Sequence, residues 1–238
     1  MKRERLQLLA RWALITASLS ALLLLASGTT HIPSIRRYLV VFSALLLVTM
    51  LAVDPHLAKE RARPRDAGID DGLRFAAGFL FVLTLTVAAF SVGRLRTGFS
   101  VPNSLRNAAL IAFALSGVLQ TWAMIVNPFF SPSVRLQTER AHRVIVDGPY
   151  RFVRHPGYLA MLIALPTSAL AIGSWLALIP AACFVLTVLR RVRPEDRFLH
   201  KHLPGYADYA HRVPGALILS RKQAVLDRAI SGRESENA

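Results

Sequence analysis

"YLAMLIALPTSALAIGSWLALIPAACFVLTVLRR", residues 158–191, carries no charge until its last two positions. Gly173-Ser174 sits in the middle of it. Roughly 15 residues on either side give helices of about 23 Å, slightly short of a full bilayer crossing. A tight helical hairpin turning at Gly173-Ser174 fits these lengths better than one long helix. The turn returns the two ends of the segment, Arg154–Tyr158 and Arg190–Glu195, to the same membrane face. It thereby sets "GPYRFVRHPGYLA" (148–160) beside "RRVRPEDRFLHKHLPGYADYAHRVPG" (190–215).

The rest of the chain agrees with a membrane setting. Of 238 residues, 53% are hydrophobic and 18% charged, against about 25% charged in ordinary soluble domains. The segments Trp12–Ile35, Leu39–Val53, Phe75–Gly93 and Asn107–Val134 hold no Asp, Glu, Lys or Arg. They predict four transmembrane helices near 7–28, 38–54, 73–92 and 106–126, separated by breakers such as Gly28, Pro33, Pro55, Pro64, Gly98 and Pro102. With the hairpin, the expected fold class is all-α and polytopic, with about six transmembrane helices.

A net charge of +15 invites a nucleic-acid reading, but the arginines and lysines flank apolar spans instead of forming one basic face. The N-terminus holds Lys2, Arg3, Arg5 and Arg11, and the first loop only Arg36 and Arg37. The second holds Lys59, Arg61, Arg63, Arg65 and Arg74, and the third Arg94, Arg96 and Arg106. The fourth connection holds Arg135, Arg140, Arg143, Arg151 and Arg154. This alternation places both termini and the 148–160 stretch on the cytoplasmic side. The N-terminal apolar run is longer than a signal peptide's and reads as a retained helix. The excess of arginine over lysine accompanies a bacterial origin, hence an inner-membrane location.

Three divisions follow: residues 1–126 as helical scaffold, 127–220 as the region carrying chemistry, and 221–238 as a polar tail. Residues 127–155 form a connector of some thirty residues, too long for an idle loop. A short helix is expected around 194–203, then a break at Pro204-Gly205 and a turn or two of helix to about His211, ended by Pro214.

Several chemistries are excluded. No glycine pattern supports a Rossmann or P-loop nucleotide site. The single cysteine, Cys183, allows no disulfide framework, and His200 and His202 point apart on a helix, so no metal site is expected. The predicted spans hold no acid or base that would carry a proton path. What remains are Tyr150, Arg151, Arg154, His155 and Tyr158 on one segment. On the other are Arg190, Arg191, Arg193, Glu195, Asp196, Tyr206, Tyr209 and Arg212. Interfacial anchoring explains any one of them; their convergence, with carboxylates opposite the His-Pro element, points to a site.

These motifs carry a family resemblance. "GPYRFVRHPGY", then "GSW", then "RVRPED" and "GYADYAHRVP" occur in order. Together they resemble the isoprenylcysteine carboxyl methyltransferase family and its phospholipid methyltransferase relatives. The pattern there is GPYR-x-x-RHP-x-Y, a GSW-type turn, R-x-R-x-E-E-x-x-L, and G-x-x-Y-x-x-Y-x-x-x-V-P. The likeness spans residues 140–218. Two departures are visible: Gly205 and Tyr206 are two residues closer than usual, and Asp196 replaces the second glutamate, after Pro194.

The resemblance implies an integral-membrane enzyme using S-adenosylmethionine, held between the RHP element and the segment after the hairpin. It implies cofactor contacts from Tyr150, Arg154, His155, Pro156, Tyr158, Glu195 and Tyr206. Arg154 and His155 suit the donor's carboxylate, Glu195 its ammonium or ribose, and the tyrosines its cationic end. Glu195, Arg191 and Arg193 are the expected catalytic set. The arginines would orient an acceptor carboxylate or phosphate, and Glu195 or Asp196 would assist an amine nucleophile. The acceptor is expected to be lipophilic, entering from the membrane.

Two other readings compete. Membrane sterol reductases, which use NADPH, have an RHP-Asn-Tyr element with an acid three residues after the Tyr; here those positions are Gly157 and Met161. A non-catalytic assembly or lipid-binding protein would show erosion at Arg154, His155, Pro156 or Glu195, and all four are intact.

Overall fold

A computed structural model describes residues 2–54, 57, 71–95, 100–133 and 135–218. The described residues contain helices and turns and no strand. The basic loop positions Lys59, Arg61, Arg63 and Arg65, together with Arg96 and the polar tail, lie outside them, as do the side chains of Lys2, Arg3 and Arg5.

Four helices are long and apolar enough to cross a membrane, and the protein is an integral membrane protein by that measure. They are α1 (Lys2–Ser27), α2 (Pro33–Ala52), α3 (Asp71–Phe90) and α4 (Asn103–Val126). α2 starts at Pro33, earlier than its charge pattern predicts. Proline is favoured at the first helical position, where no N–H is needed, and Ser34 and Ile35 are buried there. α3 ends in a π-helical turn, Ser91–Leu95, which pattern reading did not foresee. Gly93 lets this turn close on α1: a Cβ at Gly93 would sit 2.1 Å from the Ser27 carbonyl oxygen.

The hairpin forms as expected. α5 (Pro156–Ile172) and α6 (Leu178–His202) are joined through Gly173, whose φ of +114° only glycine adopts without strain. Hydroxyls fasten the turn to the bundle. Ser34 Oγ donates to the Ile172 carbonyl at 2.7 Å, and Ser91 Oγ donates to Ser174 Oγ at 2.6 Å. Ser174 Oγ in turn accepts from the Ala177 N–H at 3.1 Å. A Gly173→Ala variant meets both an unfavourable φ and Arg106, whose Nε lies 2.9 Å from the added Cβ. It should lose about 1–3 kcal/mol of stability, read as a lower thermal unfolding midpoint in detergent.

One expectation is corrected. The separate short helix around 194–203 does not exist; α6 runs unbroken to His202, with Pro194 inside it. A proline there removes one N–H and crowds the carbonyl four residues earlier. The helix continues because tertiary contacts hold both sides of the proline. Arg191 and Val192 are buried before it, and Asp196 is clasped after it. Pro166 also lies inside a helix, α5, and next to it the Thr167 and Ser168 hydroxyls donate to the Ile163 and Ala164 carbonyls, each at 2.7 Å. The break at Pro204-Gly205 is present, with Gly205 at φ +79°, and α7 (Tyr206–Arg212) follows.

The core has two main parts. The larger, around Leu23, Tyr38, Leu85, Phe113, Leu165 and Phe184, joins all six long helices. The smaller, around Tyr150, Leu203, Tyr206, Tyr209 and Val213, sits where the connector, the end of α6 and α7 meet. This second core anchors the candidate site to the bundle.

Candidate functional site

The connector is folded on itself. Gln137 is fully buried, donating from Nε2 to the Phe129 carbonyl at 2.8 Å and accepting from Arg140 Nη1 at 2.8 Å. His142 packs against Phe129 with ring centroids 4.5 Å apart. Burial, then the nearby Arg135 and Arg140, push its imidazole down to about 4, so it is neutral at physiological pH. Leaving the connector, Gly148–Arg151 makes a short 3-10 turn that buries Tyr150. The Tyr150 hydroxyl accepts from Asn127 Nδ2 at 3.0 Å, and its carbonyl accepts from the Tyr209 hydroxyl at 2.8 Å.

The RHP element and the segment after the hairpin do come together, and Asp196 is the hub. Arg154 donates to it twice, Nε to Oδ1 at 3.0 Å and Nη2 to Oδ2 at 2.9 Å. His155 Nε2 lies 3.1 Å from Oδ1, and the Tyr206 hydroxyl donates to Oδ1 at 2.7 Å. Arg154 Nη1 is occupied too, donating to the Val213 and Pro214 carbonyls at 2.8 and 2.7 Å. The backbone repeats the link: the Arg154 and His155 N–H groups donate to the Gly215 and Ala216 carbonyls, each at 3.0 Å. Burial alone would raise the Asp196 carboxyl. The hydrogen bonds from His155, Arg154 and Tyr206 outweigh it and hold the group well below the usual carboxylate range. Tyr206 moves up, through burial first and then the Asp196 charge.

Glu195 is placed differently. It accepts from the Tyr158 hydroxyl and lines a cavity of about 430 Å³. Arg191 lines the same cavity, is 7% exposed, lies over the Tyr158 ring at 5.7 Å and donates to the Pro132 carbonyl. The cavity's lining mixes polar side chains, Asn127, Glu195 and Tyr206 among them, with apolar ones such as Phe81, Leu165 and Phe184, which also belong to or pack on the larger core. Pore-sized volumes of this kind suit a small ligand.

Of the residues singled out from sequence, Tyr150, Arg154, His155, Pro156, Tyr158, Arg191, Glu195 and Tyr206 all line this cavity. Arg193 does not: it is exposed on α6. Arg191 and Glu195, four apart, share one helix face, and Arg193 falls near the opposite side. That periodicity was available in the sequence. The connector's contribution was not: Phe129, Phe130, Arg135, His142 and Arg143 also line the cavity, and no periodic pattern marks them. Nor was that of α3, which adds Arg74 and Phe81. Among the described residues, no cluster of three or more His, Cys, Asp or Glu groups is placed to hold a metal.

Gly157 fits this wall to its neighbour. A Cβ there would come within 2.4 Å of Phe130 Cζ. Gly157→Ala should displace the Phe130 ring, cost about 1–3 kcal/mol through overpacking, and raise the KM for whatever lies in the cavity against that ring.

A helical membrane protein with a mainly apolar cavity that also holds charged and polar groups, walled by an RHP element and a Glu-bearing helix, is the class these features define. Residues 109–201 match the isoprenylcysteine carboxyl methyltransferase (ICMT) family, and over that region the chain is ICMT-like. It is 28% identical over 139 residues to the cobalt-zinc-cadmium resistance protein CzcN of Cupriavidus metallidurans, covering 56% of this chain and 58% of that one. It is 28% identical over 109 residues to the nickel-cobalt-cadmium resistance protein NccN of Alcaligenes xylosoxydans xylosoxydans, covering 45% and 49%. It is 27% identical over 122 residues to protein-S-isoprenylcysteine O-methyltransferase B of Arabidopsis thaliana, covering 48% and 59%. The chain thus spans between about half and three fifths of each of these relatives.

Proposed function

We propose that this protein is an integral membrane methyltransferase that uses S-adenosylmethionine and transfers the methyl group to a carboxylate or amine of a lipophilic acceptor. The observation that carries this reading is a single cavity lined both by Glu195, Arg191 and three tyrosines and by apolar side chains of α3, α5 and α6. The likeness to a family that includes an isoprenylcysteine O-methyltransferase supports it. In this reading residues 127–220 are the catalytic region, residues 1–126 the scaffold, and the site faces the cytoplasm of a bacterial inner membrane.

The cavity's residues fit such a cofactor. Glu195 is placed to balance an ammonium, with its carboxylate oriented by the Tyr158 hydroxyl. Tyr150, Tyr158 and Tyr206 line the same cavity, and Pro156 fixes the start of α5. The fork of Arg154 is taken up by Asp196 and two carbonyls. Its part is therefore to hold the wall, together with His155. Arg143 lines the cavity, is exposed and has no hydrogen-bond partner among the described residues, so in this reading it would meet the donor's carboxylate. Arg191 ties α6 to the connector and presents its charge beside Tyr158, where it would orient an acceptor anion.

The cofactor supplies a methyl group on a positively charged sulfur. Attack by a carboxylate merges opposite charges, and a cavity whose apolar side chains exclude water favours that change. Such a nucleophile needs no base, whereas an amine would first lose a proton to Glu195. Two measurements on the purified protein in detergent test the reading: calorimetric binding of S-adenosylmethionine, and transfer of a labelled methyl group into a membrane lipid extract. Saturable binding with label in an extractable lipid is expected. No binding by folded protein, or binding of NADPH in its place, would overturn it.

A further inference from the structure

Most glycines within the described helices have a steric reason to be there. A Cβ at Gly93 would strike the Ser27 carbonyl, one at Gly117 would come within 2.6 Å of Leu45 Cδ1, and one at Gly157 would strike Phe130. Gly72 is the second residue of α3, at its very start. Gly78 is different. It lies well inside α3, in a segment long and apolar enough to cross a membrane. No described atom lies within 4 Å of a Cβ built there, so it serves no close approach of helices. Its φ is not positive either. Glycine inside a helix costs stability relative to alanine, and nothing in the packing at Gly78 offsets that cost.

The faces of α3 give the position a meaning. Arg74, Ala77, Gly78 and Phe81 line the cavity, and at about 100° per residue they share one sector of the helix. Phe75, Phe79 and Val82 fill the adjoining sector. They are exposed and do not line the cavity, as expected of lipid-facing side chains. Gly78 falls at the border, about 60° from Phe81 on one side and about 40° from Val82 on the other. It both lines the cavity and is exposed. α3 therefore turns toward the cavity on one side of Gly78 and toward lipid on the other, with no side chain between. The same cavity is lined by Met161 and Leu165 of α5 and Phe184 of α6, apolar groups suited to a hydrocarbon chain.

We propose that Gly78 is a specificity-determining residue for the acceptor: the acceptor's apolar chain lies across the bare backbone at Gly78, between lipid and cavity, and the absence of a side chain there sets how broad that chain is allowed to be. The inference rests on the methyl-transfer reading for the existence of an acceptor and adds the residue that selects among acceptors.

The test uses the purified full chain in detergent and, as probe, stearic acid with a diazirine in its chain, photolysed and located by mass spectrometry. Wild type should be labelled saturably on α5 between Met161 and Leu165. Gly78→Leu should need about tenfold more probe for that label, as when methylene groups are added to an apolar pocket. Its KM for transfer of a labelled methyl group into a lipid extract should rise by a similar factor, while its affinity for S-adenosylmethionine stays within about twofold. Val82→Phe, on the lipid-facing sector, should behave as wild type. Should Gly78→Leu not fold, Gly78→Cys in a Cys183→Ser background is folded first and then filled with N-ethylmaleimide, and the α5 label is compared before and after. Undiminished α5 labelling in the filled variants overturns the inference. So does the absence of saturable label in wild type, an equal loss in Val82→Phe, or an equal fall in S-adenosylmethionine affinity. Failure of the methyl-transfer reading looks different: wild type then binds no S-adenosylmethionine and transfers no methyl group, while the probe still separates wild type from Gly78→Leu and keeps Gly78 as the selecting residue of an apolar ligand site.

Discussion

Asp196→Ala is expected to destabilise the protein by about 3–5 kcal/mol, the range for removing one partner of a buried ion pair. Four groups use this carboxylate or its backbone oxygen: Arg154, His155, Tyr206 and His200. Without it, the Arg154 guanidinium, 10% exposed as a side chain, stays in place with two of its donors unmatched. Asp196→Asn keeps an acceptor and loses the charge, so its cost should fall between wild type and Ala. The pH dependence separates the two contributions. Because the folded carboxyl is held below its ordinary value, its stabilisation is complete above about pH 4 and is lost as pH falls further. The difference between wild type and Asp196→Asn, read from thermal unfolding in detergent, should therefore narrow below about pH 4. A gap that stays constant from pH 7 to the acid limit would show that charge at Asp196 is not its source.

Asp196 also marks where sequence reading reaches its limit. Two adjacent acids on one helix differ by about 100° in direction. The pattern R-x-R-x-E-D names both without saying which faces the cavity. The structure turns Glu195 to the cavity and Asp196 to Arg154 and His155, so in the proposed function the first would serve the ligand while the second holds the scaffold. The hairpin was legible because it depends on one local fact, a Gly-Ser pair at the centre of a charge-free run. The four spans were legible because hydropathy over some twenty residues is a strong signal. The unbroken course of α6 was not. Pro194 is a valid local signal for a helix end, overridden by contacts with residues forty positions earlier. The connector was opaque for a similar reason. Gln137, His142 and Phe129 acquire their places from one another, through hydrogen bonds and ring contacts with no helical or strand period.

The hub and the cavity are mechanically one structure. Arg154 and His155 lead directly into α5, Tyr206 begins α7, and Asp196 lies near the end of α6, so a single carboxylate fixes the relative positions of three helices. Glu195 is the next residue along, and its direction into the cavity is set by the same clasp. A lesion at Asp196 should thus lower both stability and ligand affinity. A lesion at Glu195 should lower affinity alone.

Glu195→Gln is the sharpest test of that division. Among the described residues lining the cavity, Glu195 is the one carboxylate beside Arg74, Arg135, Arg143, Arg154 and Arg191. Neutralising it leaves a strongly cationic chamber facing a ligand with a sulfonium and an ammonium. Charge-assisted hydrogen bonds contribute about 1.5–3 kcal/mol each, so affinity for S-adenosylmethionine should fall by about 10- to 100-fold. Glutamine keeps an acceptor for the Tyr158 hydroxyl, and the unfolding midpoint should move by no more than the equivalent of about 0.5 kcal/mol. The acceptor dependence discriminates further. With a carboxylate acceptor, a saturating donor should restore most of kcat, because no proton is removed at Glu195. With an amine acceptor, kcat should stay low at saturating donor, and the alkaline rise in its pH profile should shift or vanish. Unchanged donor affinity in a folded Glu195→Gln protein would remove Glu195 from the cofactor site and leave it a wall residue held by Tyr158.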